Sequence, residues 1–194
     1  MKLVVGLGNP GPEYAETRHN AGLRIVERLA ERHSIALKRE LRLEARLGEG
    51  EVRGVHVALL APLAFMNASG RAVLAALAAL PALDPAQDLL VVYDDLDLPF
   101  GRLRIRPGGG AGGHRGLADV QERLGRSDFP RLRFGIGRPA SGEDPIDYVL
   151  APFGAAETAV LAERLAAAAE ALETALAEGV AAAMERYNPE GSPA

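Results

Sequence analysis

One histidine, two asparagines and one aspartate stand where acid–base chemistry could be assembled. His19, one of four histidines, closes a bent stretch that runs Gly6-Leu7-Gly8-Asn9-Pro10-Gly11-Pro12-Glu13-Tyr14 and then Arg18-His19-Asn20-Ala21-Gly22. The loop leaves an apolar segment, Lys2–Leu7, that reads as a buried strand, and loops held by rigid strands are where catalytic groups concentrate. An imidazole with an ordinary pKa of about 6.5 takes a proton near neutrality, and it works best when a carboxylate fixes its tautomer. Asp94 fits that partner: it ends the apolar run Asp88–Tyr93, and sites in open α/β sheets form at the carboxyl ends of strands. Asp95 and Asp97 compete for the role. Asn9 and Asn67 carry carboxamides that can donate to a developing oxyanion or accept from an amine or water. Each also has a plainer reading. His19 can be a helix-start residue satisfied locally, Asn67 an N-cap, and Phe65-Met66 either an apolar lip or core.

The opening loop also spells Gly-x-Gly-x-x-Gly, the mark of dinucleotide binding. That reading requires a helix to start on the glycines. Pro10 and Pro12 remove two amide donors there, and helical periodicity begins only near Asn20.

A second glycine loop, Pro107 to Gly116, contains His114 and Arg115 and leads into a helix. It lacks the Lys-Ser/Thr ending of a nucleoside-triphosphate loop. Between Arg102 and Arg138 nine arginines face three acids, a local balance of +6 in a chain of net charge −4. From Pro139 onward ten acids face two arginines. The asymmetry points to one face built for an anion, with Arg104, Arg106, Arg115, Arg131 and Arg133 placed to track a polyanionic backbone. The same charges also read as a solvated sheet edge beside a charged helix. Asp94, Asp95 and Asp97 together offer a weak Mg²⁺ alternative.

These groups need a frame. Leu23, Val26, Leu29 and Ala30 predict a helix over about 20–33. Leu41–Leu47 and Glu51–Leu60 predict a hairpin turning at Gly48-Glu49-Gly50. A helix from Asn67-Ala68-Ser69-Gly70 to about Leu80, strands at 88–93, 102–106 and 132–136, a helix at 116–124, and a helical stretch from Pro145 to Tyr187 follow. Alternating strands and helices with one hairpin predict an α/β fold: a single domain over 1–188, a twisted mixed β-sheet flanked by helices, a helical C-terminal region and a frayed tail at 189–194. The chain has 194 residues and no cysteine, so disulfides and thiol chemistry are excluded. Leu3–Leu7 is too short for a secretory apolar region and the Ala-rich tail is broken by glutamates, so a cytoplasmic location is expected.

Four motifs in series resemble one family. Gly-Leu-Gly-Asn-Pro-Gly-x-x-Tyr-x-x-Thr-Arg-His-Asn-x-Gly, Phe-Met-Asn-x-Ser-Gly, Tyr-Asp-Asp-Leu-Asp-Leu-Pro-x-Gly and Gly-Gly-His-Arg-Gly-Leu are similar, in order and spacing, to those of bacterial-type peptidyl-tRNA hydrolases. The resemblance covers Met1 to about Leu150. It implies an esterase that frees tRNA from a peptide without metal or other cofactor, acting as a monomer. Under it, His19 activates water, Asp94 holds His19 in its basic form, Asn9 senses a blocked α-amino group, and Asn67 holds the peptide backbone. Tyr14, Phe65 and Met66 would line the cleft; His114 and Arg115 would touch substrate; Arg104, Arg106, Arg131 and Arg133 would meet tRNA phosphates. Two positions depart from the pattern: Arg115 stands where many members carry Asn, and Ala111 where a second loop histidine is common. Two rivals from other classes are a non-catalytic RNA-binding module, resting on the +6 segment, and a nicotinamide-dependent oxidoreductase, resting on the opening glycines.

Overall fold

The central strands are apolar on both faces, and that decides the architecture. In β1 (Lys2–Gly6), Leu3 and Val5 enter one core while Val4 enters another on the opposite side of the sheet. A computed structural model describes residues 1–80 and 83–188; the expected frayed tail lies outside the described residues. In chain order the elements are β1, α1 (Ala21–Arg32), β2 (Lys38–Glu40), β3 (Ala45–Val52), β4 (Val55–Pro62), α2 (Ser69–Ala79), α3 (Pro85–Asp88), β5 (Leu89–Asp95), β6 (Leu103–Arg106), α4 (Arg115–Leu124), β7 (Arg131–Gly135), α5 (Pro145–Leu150), α6 (Ala155–Ala177) and α7 (Val180–Tyr187).

The strands form one seven-stranded sheet in the order β2-β3-β4-β1-β5-β7-β6. Its middle, β4-β1-β5-β7, is parallel, and antiparallel partners close both flanks. Helices α1, α6 and α7 cover one face, around Ile25, Leu90, Leu132 and Leu172. Helices α2 and α4 cover the other, around Val73, Leu89, Val91 and Leu117. This is the mixed, helix-flanked α/β sheet expected from the sequence.

The hairpin forms, but its turn is elsewhere. Gly48 and Gly50 lie inside β3, and the chain reverses at Arg53-Gly54, both at positive φ (47° and 80°). The two strand glycines serve packing: a Cβ on Gly48 would meet Ala36 O at 2.7 Å, and one on Gly50 would meet Ile35 Cγ1 at 2.6 Å. Leu41–Leu43, expected in a strand, is a 3₁₀ turn, so the first hairpin strand starts at Ala45. The C-terminal region breaks into α5, α6 and α7, with Pro152 and Gly154 separating the first two and Gly179 the last two. Past α7, Asn188 accepts from Ile105 N–H at 2.8 Å and donates to Ile105 O at 2.7 Å, covering the outer edge of β6.

One close approach positions the site. The start of α1 packs so tightly on β5 that a Cβ at Gly22 would strike the Val92 carbonyl oxygen. His19, three residues earlier in a 3₁₀ turn, is thereby carried to the carboxyl end of β5, where Asp94 sits.

Candidate active site

Asp94 is 2% exposed and holds two imidazoles. Both of its oxygens lie 2.9 Å from His19 Nδ1, and Oδ1 lies 3.0 Å from His114 Nε2. His114 has no freedom of tautomer: its Nδ1 accepts from Leu117 N–H at 3.1 Å as the N-cap of α4, so Nε2 carries the proton given to Asp94. At His19 the carboxylate takes Nδ1–H, which leaves Nε2 as the basic nitrogen. Burial alone would raise the Asp94 pKa, but the adjoining imidazoles outweigh it and hold the carboxyl far below the usual range. Burial pulls the His19 pKa down; the charge and hydrogen bond of Asp94 overcome this and leave it above 6.5, with the Arg115 charge opposing.

Asn9, 7% exposed, is oriented from two sides. Its Oδ1 accepts from Met66 N–H at 2.8 Å. Its backbone is clamped by Asn20, whose Oδ1 accepts from Asn9 N–H at 2.8 Å and whose Nδ2 donates to Asn9 O at 3.0 Å. With Oδ1 committed, the group Asn9 presents to the cleft is its NH₂. Asn67 makes no helix cap: the N-cap of α2 is Ala68, and the exposed Asn67 side chain lines the same cleft.

The cleft encloses about 540 Å³. His19, Asp94, Asn9 and Asn67 meet in it, joined by Tyr14, Phe65, Met66, His114 and Arg115. Tyr14 and Phe65 stack edge to face at 6.3 Å, and Phe65 is 60% exposed, so it is lip rather than core. Met66, 4% exposed, is mostly core.

The basic segment divides. Arg104 and Arg106 stand partly exposed on β6, on the face opposite buried Leu103 and Ile105. Arg133 pairs with Asp95 and is only partly exposed. Arg131 corrects an expectation: it is 1% exposed, donating to the carbonyls of Ser127, Phe129 and Gly110, and cannot meet a phosphate from there. Its fork ties the glycine loop down instead. Asp95 and Asp97 are claimed by Arg133 and Arg138, so the three acids of the Mg²⁺ alternative point to separate partners.

Two contributors were not singled out from the sequence. Asn20 spends its amide on Asn9. Arg18 is 9% exposed, donating to Pro152 O at 2.7 Å and Glu157 Oε2 at 2.8 Å, with its guanidinium 4.1 Å from the Tyr148 ring centre. It fastens the loop of His19 to the segment bearing α5, whose Ile146 and Leu150 form an apolar cleft wall. The only available signal was adjacency to His19.

A carboxylate-held imidazole beside carboxamide donors, in an apolar cleft at the carboxyl ends of parallel strands, is an arrangement able to accept a proton from water and to stabilise an oxyanion, the chemistry of a hydrolase built on an α/β sheet. The sequence model described as Peptidyl-tRNA hydrolase matches residues 3–194, and the chain belongs to that family. It is 53% identical over 189 residues to a peptidyl-tRNA hydrolase of Chloroflexus aggregans, covering 97% of this chain and 100% of that one. A peptidyl-tRNA hydrolase of Symbiobacterium thermophilum is 51% identical over 191 residues, with 96% and 98% covered. The crystal structure of peptidyl-tRNA hydrolase from Acinetobacter baumannii superposes with a TM-score of 0.88 at 38% identity, covering 97% of this chain and 94% of that one. The dinucleotide reading falls with the fold, because α1 starts at Ala21 and not on the opening glycines.

Proposed function

We propose that this enzyme hydrolyses the ester between a peptide and the 3′ end of tRNA by water activated at His19, and that it does so without a metal. The observation that carries the mechanism is the Asp94–His19 contact at 2.9 Å, which leaves Nε2 as the one basic nitrogen of that ring. Water gives a proton to Nε2 as its oxygen bonds the ester carbonyl carbon. The carbonyl π pair moves to oxygen, and a carboxamide N–H, from Asn67 for example, stabilises that oxyanion. Collapse breaks the bond to the ribose oxygen, which leaves with the proton held by His19. A peptide acid and a free tRNA hydroxyl result. Asp94 stabilises the imidazolium during the step, and His114 keeps Asp94 in place. Metal ligation at this trio would compete with hydrogen bonds that already occupy both His114 nitrogens.

Asn9 supplies selectivity. An NH₂ donor facing the cleft suits the carbonyl oxygen that acylation places on the substrate's α-nitrogen, and it repels a free ammonium, which offers only donors. Asn67 holds the peptide backbone, and Tyr14, Phe65 and the α5 wall cover its side chains. Arg104 and Arg106 meet tRNA phosphates. The enzyme acts as a monomer in the cytoplasm on tRNA released from translation. No helix among the described residues is long and apolar enough to cross a membrane.

The test pairs an N-blocked aminoacyl-tRNA with its unblocked counterpart. The wild type should cleave the first and spare the second, and His19→Ala should cut turnover by about 10²- to 10⁴-fold while tRNA binding persists. Comparable cleavage of both substrates, or an active His19→Ala, would remove the assignment.

A further inference from the structure

The arginines of the basic segment are mostly committed. Arg123 pairs with Asp119, Arg126 with Asp128, Arg133 with Asp95 and Arg138 with Asp97, while Arg131 is sealed under the glycine loop. Arg115 is different. It is exposed at the first residue of α4, lines the cleft, and has no hydrogen bond or ion pair among the described residues. The cleft's own acids cannot neutralise it, since Asp94 is buried on two imidazoles and Asp95 belongs to Arg133. The reaction centre therefore faces an uncommitted guanidinium with five donors.

Resting on the peptidyl-tRNA reading above, we infer that Arg115 binds the phosphodiester on the 5′ side of the terminal nucleoside, the phosphate next to the scissile ester. Two considerations converge on that anion. Arg115 shares the cleft with His19, and its charge acts on that imidazole, so an anion bound to it lies beside the reaction centre. A guanidinium matches a phosphate bidentately, and a phosphate is present in every tRNA whereas an acidic peptide side chain is not. Arg115 is then a specificity residue that reads the nucleic-acid half of the substrate at the point of cleavage.

Two small substrates separate this role from the chemistry: an N-acetyl-aminoacyl ester of adenosine, and the same ester of the dinucleotide cytidylyl-adenosine, which restores the phosphate. The wild type should prefer the dinucleotide by about 10-fold or more in kcat/KM, mainly through KM, as a charge-assisted phosphate contact requires. Arg115→Gln should bring that preference to within about twofold, and Arg115→Lys should keep part of it, since the charge remains without the fork. A circular-dichroism spectrum and a melting temperature matching wild type show that each variant is folded. A wild type indifferent to the phosphate, an Arg115→Gln that keeps the preference, or an equal loss on both esters would overturn the inference. If the wild type cleaves neither ester nor N-blocked aminoacyl-tRNA, it is the parent reading that fails.

Discussion

Two buried carboxylates in this molecule, Asp94 and Glu173, look alike and do opposite things. They are 2% and 3% exposed, each accepts from histidine, and each has its pKa lowered by its neighbours against the pull of burial. Glu173 on α6 receives Arg32 Nε at 2.9 Å, Arg53 Nη2 at 2.7 Å and His33 Nε2 at 3.0 Å. Two of those partners are permanent cations, so its charge is already neutralised, and the cluster staples α6 to α1 and to the hairpin turn. Asp94 has imidazoles alone. In the proposed mechanism its countercharge grows when His19 takes a proton from water, which puts the stabilisation on the reaction path as well as in the fold. A buried acid beside histidine is therefore poised for catalysis when the reaction itself must create the cation.

The sharpest way to break that contrast is Asp94→Asn. Turnover should fall by about 10³-fold, because the tautomer and the imidazolium both lose their support. The pH profile supplies a second readout. Neutral His19 is the working form, so wild-type rate should decline as pH drops through a pKa above 6.5. In Asp94→Asn the cause that raises the pKa is gone, while burial and Arg115 still lower it, so the acid limb should move to lower pH. An unmoved limb would mean that His19 is not the titrating base.

Glu173→Gln tests the other half of the comparison. It should destabilise the protein by about 2 kcal/mol at neutral pH, the scale of hydrogen bonds to charged groups, with kcat within about twofold of wild type. Because the folded Glu173 pKa lies below 4.5, its contribution is full above that value and is lost as pH falls through the folded pKa. Thermal melts of wild type and variant should thus differ at pH 6–8 and converge in acid. A variant that melts like wild type but loses activity would reverse the two assignments.

How much of this was readable in advance follows from which forces are local. The alternation of β1, α1 and β5 is written in apolar periodicity, and Asp94 at the end of an apolar run is a strand-end acid on sequence alone. The hairpin turn was not readable, because Gly48 and Gly50 look like turn residues until Ile35 and Ala36 are seen to press against them. Charge was misleading for a related reason. The segment balance of +6 counts arginines whose partners, Asp95 and Asp97, lie outside the segment, and it counts Arg131, which folding buries on carbonyls. The acidic C-terminal region likewise answers Arg18, Arg32 and Arg53 from the other half of the chain. Ion pairs across more than a hundred residues leave no mark on local composition.

Arg18 is the intermediate case and carries the smallest predicted effect. Like Glu173 it belongs to a staple, yet the staple joins the His19 loop to the α5 wall: Arg18 N–H also donates to Ala151 O at 3.0 Å, and Thr17 bridges Pro152. If it acted only as a staple, Arg18→Met would lower the melting temperature and leave kinetics alone. The geometry predicts more, because Met cannot hold Pro152 O and Glu157 together, so Ile146 and Leu150 would lose their fixed distance from Phe65. We expect KM to rise about fivefold for substrates with apolar peptides of several residues and less for a single N-acetylated residue, while kcat stays within about twofold, the pattern of weakened uniform binding. A loss confined to kcat would instead place Arg18 on the catalytic side of the comparison, acting through its neighbour His19.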